Sequence, residues 1–231
     1  MKSPKLVAGI VIAGGRSTRM GGGDKCLMPL DGKPVLAHII ERLESQVTAI
    51  AINANGDPSR FRSFGVPVIP NAVAEHAGPL AGILAGLEWA RTIVPEIDYI
   101  VTVTSDMPFL PDNLAARFLD ALKDTERNAC VARSVGGVRR LIGMWPTTMA
   151  ASLKEALCNG VRKAGTWLDQ QEPGEVYFPL VRVKGRPVDP FFNINRPEDL
   201  AAAEVLVGGD LPAAASPRRF SWLHRLAIWR P

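Results

Sequence analysis

The stretch from Val11 to Lys25 gathers the groups that a polyphosphate needs. A Gly14-Gly15 pair lets the chain turn sharply and aim its amides at an anion. Arg16, Ser17, Arg19, the run Gly21-Gly22-Gly23 and Lys25 follow within a few residues. Consecutive glycines cost backbone entropy and add nothing to a core. With three cationic side chains and a hydroxyl among them, the loop suits a triphosphate better than a solvated turn. It is not a Walker A loop, because Cys26 follows Lys25, and it lacks the Gly-x-Gly-x-x-Gly spacing of a dinucleotide site.

Asp106 is a second anchor. It stands just past the apolar run Tyr99 to Thr104, where open α/β sheets place ligand groups. A carboxylate there suits Mg²⁺, which shares its shell with phosphate oxygens and offsets charge during in-line attack at an α-phosphate. The same carboxylate also suits a cap for a helix after Pro108. Asn53 and Asn55 follow another apolar run and suit either a base edge and ribose or an Asx turn. The segment His76 to Gly82 leads into a helix whose amino end is suited to a base or phosphate. Asn193 and Asn195 lie two apart, so on extended chain they share a face. There they could orient a second substrate, complete a metal shell, or close a turn.

The elements that position these groups alternate. Strands are expected at Leu6 to Ile12, Ala49 to Asn53, Val66 to Ile69, Tyr99 to Thr104 and Ala129 to Ala132. Helices are expected at Pro34 to Leu43, Gly78 to Arg91 and Pro111 to Leu122, with Asp112 in the first turn of the last. That order indicates a mostly parallel sheet with helices on both faces. Glycines within the Gly78 helix cost roughly 1 kcal/mol each, which a close approach of backbone or ligand would offset. Further on, Val138 to Trp145 reads as an edge strand, Met149 to Cys158 and Thr166 to Gln171 as helices, and Val176 to Val183 as one strand. Pro197 opens a last helix to about Leu206. The expected organisation is a single domain over 1–207, a Gly/Ala/Pro linker over 208–217 and a basic aromatic tail over 218–231, suited to docking on the body, self-association or another surface.

The 231 residues are 47% hydrophobic, enough for a sizeable core, and carry a net charge of +4. No Lys/Arg stripe with interleaved aromatics points to nucleic acid. No apolar run approaches the roughly 18 residues of a membrane span. Cys26, Cys130 and Cys158 are scattered and odd in number, as expected of buried free thiols in a reducing, cytoplasmic setting rather than a disulfide or zinc site.

The string Ile12-Ala-Gly-Gly-Arg-Ser-Thr-Arg-Met-Gly-Gly-Gly-Asp-Lys25 resembles the signature of the molybdenum cofactor guanylyltransferases. Asn53-Ala-Asn55, Gly78-Pro-Leu-Ala-Gly82, Ser105-Asp-Met-Pro108 and Phe192-Asn-Ile-Asn195-Arg-Pro-Glu-Asp199 resemble that family's further motifs, in its order. The resemblance implies a three-layer, Rossmann-like nucleotidyltransferase fold of α/β class with a mostly parallel central sheet. It implies transfer of GMP from GTP to the terminal phosphate of molybdenum-molybdopterin with release of pyrophosphate, with Mg²⁺ as cofactor. Carried over by motif, Ala13, Gly14, Gly15, Arg19 and Lys25 serve the GTP phosphates, and Asn53 and Gly82 lie at the guanosine. Asp106 binds Mg²⁺, and Asn193 and Asn195 fall near the pterin phosphate. Arg19, Lys25 and Asp106 form the expected catalytic set, and transient contact with molybdoenzymes or their chaperones would follow.

Two departures stand out. Asn71 occupies the place where the family carries an aspartate for guanine, and a neutral amide can accept only through its single oxygen; Glu75 is another source of an acceptor. Arg139-Arg140 stand where relatives have a His-Pro pair, facing either an anionic pterin or solvent. The alternatives are a cytidylyltransferase acting on the same cofactor, whose loop typically reads Ala-Ala-Gly, and a nucleotide-binding protein that delivers the cofactor through its tail.

Overall fold

The computed structural model describes residues 6–14, 24–71, 78–123, 125–161 and 163–208. The nucleus of the fold is β1 (Leu6–Ile12), apolar throughout and buried from Val7 onward. Its side chains alternate between two cores, as the period of a strand requires. Val7 and Val11 enter one cluster, and Ala8, Ile10 and Ile12 enter the other. β1 pairs in parallel with β4 (Ala49–Asn53) on one side and β6 (Ile97–Thr104) on the other. β5 (Val68–Ile69) extends the parallel set beyond β4.

Helices cover both faces. On the first lie α1 (Val35–Glu44), α3 (Leu114–Ala121) and α6 (Pro197–Gly208), contributing Leu36, Ile39, Leu114, Phe118, Ala203 and Val207 to one core. α1 shows why: Val35, Leu36, Ile39, Ile40 and Leu43 fall on one helical stripe, and all are buried. On the second face lie α2 (Gly78–Ile93), α4 (Ala150–Cys158) and α5 (Ala164–Gln170), with Leu80, Leu84, Leu87, Leu153, Leu157 and Leu168 in the other core. Each fully buried leucine contributes about 1.5–3 kcal/mol, so the two cores supply the main drive to fold. The result is the expected three-layer α/β arrangement around a mostly parallel sheet.

The sheet has seven strands. β7 (Cys130–Ser134), β8 (Gly137–Pro146) and β9 (Gly174–Tyr177) complete it, in the order β5-β4-β1-β6-β8-β7-β9. Here the structure corrects two readings of the sequence. β8 is not an edge strand: it runs antiparallel between β6 and β7. Its Ile142 to Pro146 half is buried, and the Trp145 indole N–H donates to the Thr102 hydroxyl of β6 at 2.8 Å. The edge is β9, parallel to β7. Nor is Val176 to Val183 one strand. Pro179 has no N–H to continue a ladder, and the chain restarts as the hairpin β10 (Val181–Val183) and β11 (Arg186–Val188).

A second small hairpin, β2 (Pro29–Leu30) and β3 (Lys33–Pro34), turns at Asp31 and Gly32, both at positive φ. Its Asp31 amide donates to the Glu204 carboxylate of α6, tying the last described helix to the start of the chain. Asp112 precedes α3 instead of entering its first turn, and it pairs with Arg42 at 2.9 Å. Cys26 and Cys130 are buried, as expected, but Cys158 is exposed. The buried face of α4 is Ala150, Leu153 and Leu157, and the residue after Leu157 turns about 100° away from it. Among the described residues no helix is long and apolar enough to cross a membrane. The expected linker and tail over 208–231 lie outside the described residues from position 209 on.

Candidate active site

β1, β4 and β6 all end at one edge of the sheet, and their ends are laced together. The Ala13 amide donates to the Asn53 carbonyl at 2.8 Å, and the Ser105 amide donates to the Ile12 carbonyl at 3.1 Å. Every motif singled out in the sequence and described in the structure meets this edge or a loop against it. The chain leaves β1 at Ala13, which is buried, and Gly14, which is exposed. Gly15, Arg19 and the rest of the glycine-rich loop to Gly23 lie outside the described residues, as do Glu75 and His76. The chain re-enters at Asp24, whose carboxylate pairs with Arg60 Nε at 2.5 Å. A single turn, Lys25–Leu27, follows.

Lys25, Asp106, Asn193 and Asn195 converge although the sequence separates Lys25 and Asn195 by 170 positions. Lys25 Nζ donates to Asn195 Oδ1 at 3.0 Å. The Thr104 hydroxyl donates to Asp106 Oδ1 at 2.7 Å, and the Ile194 amide donates to the Asp106 carbonyl at 2.9 Å. Asp106 therefore does not cap the following helix. Burial pushes its carboxyl above the usual carboxylate range, opposed by the Thr104 hydroxyl, the charge of Lys25 and a hydrogen bond from the Asn193 side chain. The Asn193 amide is thus spent on Asp106, while its Oδ1 is buried with no partner among the described residues. A buried acceptor without a donor costs about 1–3 kcal/mol, and a donor or cation brought to this atom would remove that cost.

The Asn193–Asn195 segment is held from both ends. Phe191 is fully buried against Phe178, with ring centroids 5.4 Å apart, and Phe192 packs on Phe109 at 6.0 Å. Beyond the segment, Asp199 Oδ2 accepts from the Asn195 and Arg196 amides, each at 2.9 Å. This is the returning half of a capping box at the start of α6.

A second cluster sits at the ends of β4 and β5. Asn53 is almost fully buried. Its Nδ2 donates to the Ile69 carbonyl at 3.1 Å and to Asn71 Oδ1 at 3.2 Å. The Asn71 amide in turn donates to Asn55 Oδ1 at 2.9 Å. Asn53 therefore holds Asn71, and Asn71 is the more accessible of the two. Gly82 belongs to the same arrangement, since a Cβ there would lie 2.3 Å from Asn53 Oδ1. Gly86, one turn on, admits Ile10 in the same way. Gly82 and Gly86 are thus explained by close approach of side chains from the sheet, Asn53 and Ile10, instead of the backbone or ligand that their composition suggested.

Sequence reasoning missed Thr104, the Asp24–Arg60 pair and Asp189, whose role is described below. Thr104 was within reach of it: positions 104 and 106 are two apart at a strand end and share a face. The Asp24–Arg60 pair carries no local signal. Among the described residues no group of three or more His, Cys, Asp or Glu side chains could hold a metal ion. Among the described residues Asp106 is the carboxylate of the converging group, bonded to the Thr104 hydroxyl and the Asn193 side chain, while the Asn195 oxygen is held by Lys25. That donor set is hard and oxygen-only. It fits Mg²⁺ held by one protein carboxylate and substrate phosphates, and does not fit zinc.

Comparison with known proteins shows the family and the fold. Residues 9–175 match the MobA-like NTP transferase domain family. The chain is 42% identical over 201 residues to a molybdenum cofactor guanylyltransferase of Bradyrhizobium sp., covering 87% of this chain and 92% of the relative. It is 44% identical over 202 residues to one from Mesorhizobium japonicum, covering 87% and 96%. In fold it is similar to the crystal structure of molybdopterin-guanine dinucleotide biosynthesis protein A from Archaeoglobus fulgidus. That match has a TM-score of 0.64 at 20% identity and covers 89% of this chain and all of the other.

Proposed function

The chain belongs to the MobA-like NTP transferase domain family, and on that premise we propose that it transfers GMP from GTP to the terminal phosphate of molybdenum-molybdopterin. The observation that carries this reading is the convergence of Lys25, Asp106, Asn193 and Asn195, with a buried Asn193 oxygen awaiting a donor or cation. The names of relatives at 42% and 44% identity support the choice of substrates.

In this reading an oxygen of the acceptor phosphate attacks the α-phosphorus of GTP. The bond from that phosphorus to the bridging oxygen breaks, and pyrophosphate leaves. No residue here forms a covalent intermediate; the chain aligns two anions and offsets their charge. Lys25 supplies a fixed positive charge between the nucleotide loop and the Asn195 segment. Asp106, with the oxygens of Asn193 and Asn195, would hold Mg²⁺, which when bound offsets the charge of the phosphate oxygens. Burial disfavours the bare Asp106 carboxylate, and a cation beside it reverses that preference. Asn71, fixed by Asn53 and Asn55, is assigned to the guanine. One lone pair of its Oδ1 already accepts from Asn53, so base choice needs its own test.

The test is pyrophosphate release with and without the molybdenum-loaded pterin, using GTP, CTP and ATP in turn. GTP with acceptor is expected to react at least tenfold faster than the others. A preference for CTP would replace the guanylyl reading with a cytidylyl one. Asp106→Asn is expected to lower kcat/KM at least about a hundredfold without changing Tm by more than a few degrees. Full activity in that variant would remove Asp106 from the metal site.

A further inference from the structure

The functional reading leaves unassigned the groups that meet the acceptor's negative charge from the far side of Asp106. Two arginines stand at the start of β8, and the pleat sends their side chains to opposite faces. Arg140 is half exposed and pairs with Asp169 of α5 at 2.7 Å, so it belongs to the outer helical face. Arg139 goes the other way, is 28% exposed, and lies beside Asp189, which is 16% exposed.

Four observations mark Arg139. First, β6 and β8 pair antiparallel from Tyr99↔Pro146 to Thr102↔Gly143, and after an irregularity in β8 Arg139 pairs with Ala132 of β7, so Arg139 lies on the stretch of β8 beyond its β6 pairing, toward the carboxyl end of β6. Second, its closest approach to Asp189, Nη2 to Oδ2, is 3.6 Å, beyond hydrogen-bond range, and its Nε is buried with no partner among the described residues. A guanidinium has five donors in a planar fork, and here the Nε donor is left without a partner among the described residues. Third, the pair packs directly on Gly136 in the β7–β8 turn: a Cβ there would lie 2.3 Å from Arg139 Nη2 and 2.7 Å from Asp189 Oδ2, so only glycine admits this placement of the two side chains.

Fourth, Asp189 links the turn to the Asn193 segment. Its Oδ2 accepts from the Ser134 hydroxyl at 2.9 Å and its Oδ1 from the Phe191 amide at 2.9 Å, while its carbonyl accepts from the Phe192 amide at 3.0 Å. One carboxylate therefore holds the β7–β8 turn, the arginine and the approach to Asn193 in a single unit.

We propose that Arg139 is the anion contact for the phosphorylated acceptor and that Asp189 is its positioning residue. This assignment rests on the functional reading above and names the group that distinguishes acceptor from nucleotide. Arginine suits the task because its fork matches phosphate oxygens in pairs. Asp189 holds the guanidinium loosely, so a dianionic phosphate ester can take its donors without dismantling the turn.

The test uses the full chain with GTP, Mg²⁺ and the molybdenum-loaded pterin, and measures KM for each substrate separately. Arg139→Gln is expected to raise the acceptor KM at least tenfold, leaving the KM for GTP and Tm within error. Arg139→Lys should recover part of the loss, because the charge remains but the fork does not. Asp189→Asn keeps an oxygen for the Phe191 amide and removes the charge beside Arg139. It should raise the acceptor KM severalfold and leave the KM for GTP unchanged. Added salt should weaken acceptor binding more in the wild type than in Arg139→Gln. An Arg139→Gln acceptor KM within twofold of wild type overturns the assignment alone. A wild type that turns over no phosphorylated pterin overturns the functional reading and the assignment together.

Discussion

The two halves of the sheet edge are built by different means. On the side proposed for the nucleotide, β1, β4 and β5 are parallel neighbours, and the site groups follow them within a few residues. Asn53, Asn55 and Asn71 bond to one another and to adjacent strand ends. On the side proposed for the acceptor the strands are β8, β7 and β9, one of them antiparallel. The groups there are joined over long separations, by Asp189 to Ser134 and by Lys25 to Asn195. A site made of strand ends is rigid because the sheet is rigid; one made of returning segments depends on its clamps. Lys25 spans both, and this makes it the sharpest probe of the division.

Lys25→Ala should give the largest effect. Loss of a fixed charge beside the phosphates is expected to lower kcat/KM about a hundred- to thousandfold. Because Lys25 also holds Asn195, steady-state kinetics should show a higher KM for both substrates. A defect confined to GTP would mean that the two halves are independent at this point. Gly82→Ala tests the nucleotide half by itself. The new methyl collides with Asn53 Oδ1, and overpacking of this kind costs about 1–3 kcal/mol. Calorimetry should show a lower Tm and binding assays a weaker affinity for GTP, with the acceptor KM unchanged. A normal Tm would show that Asn53 can move aside freely.

The smallest effect concerns the thiols, one buried in each half. Burial, with Asp24 nearby, holds Cys26 up to about 11, and burial holds Cys130 up to about 12, against 9.0 for a free thiol. Below pH 9 both states keep these protons and stability is unaffected. From pH 9 toward 11 the unfolded chain sheds them while the folded chain keeps them, so stability falls as pH rises through that window. Unfolding scans from pH 8 to 10.5 would measure the slope. At pH 8, iodoacetamide should label Cys158 first and reach the other two only on unfolding. Equal labelling of all three would contradict the buried placement of Cys26 and Cys130.

The same division explains what could be read before the fold was seen. The nucleotide half was legible because its chemistry is local: a glycine-rich loop, an aspartate after an apolar run, asparagines after another. Ala49–Asn53 and the start of α2 fall where their patterns place them. The acceptor half was harder. β8 reads as an edge because its first residues are polar, yet those residues run past the end of β6 while the rest is buried on both sides. The strand expected over Val176 to Val183 is divided at Pro179, which has no N–H to continue a ladder, into β9 and β10. Asn193 and Asn195 were visible as a pair, but nothing nearby in the chain announces Lys25 or Asp189 as their supports. Such partners are set by topology, and periodicity carries no record of them.

The order of the elements also has a consequence for the timing of assembly. All seven strands of the sheet are complete by Tyr177, whereas Asp189, Asn193 and Asn195 come later and are secured through α6. In the order of synthesis, β1, β4, β5 and β6 are therefore made well before the segment that carries Asp189, Asn193 and Asn195, and α6 then returns to the start of the chain through Glu204 and Asp31. The groups that converge at the sheet edge thus come together only once the chain has been made through α6.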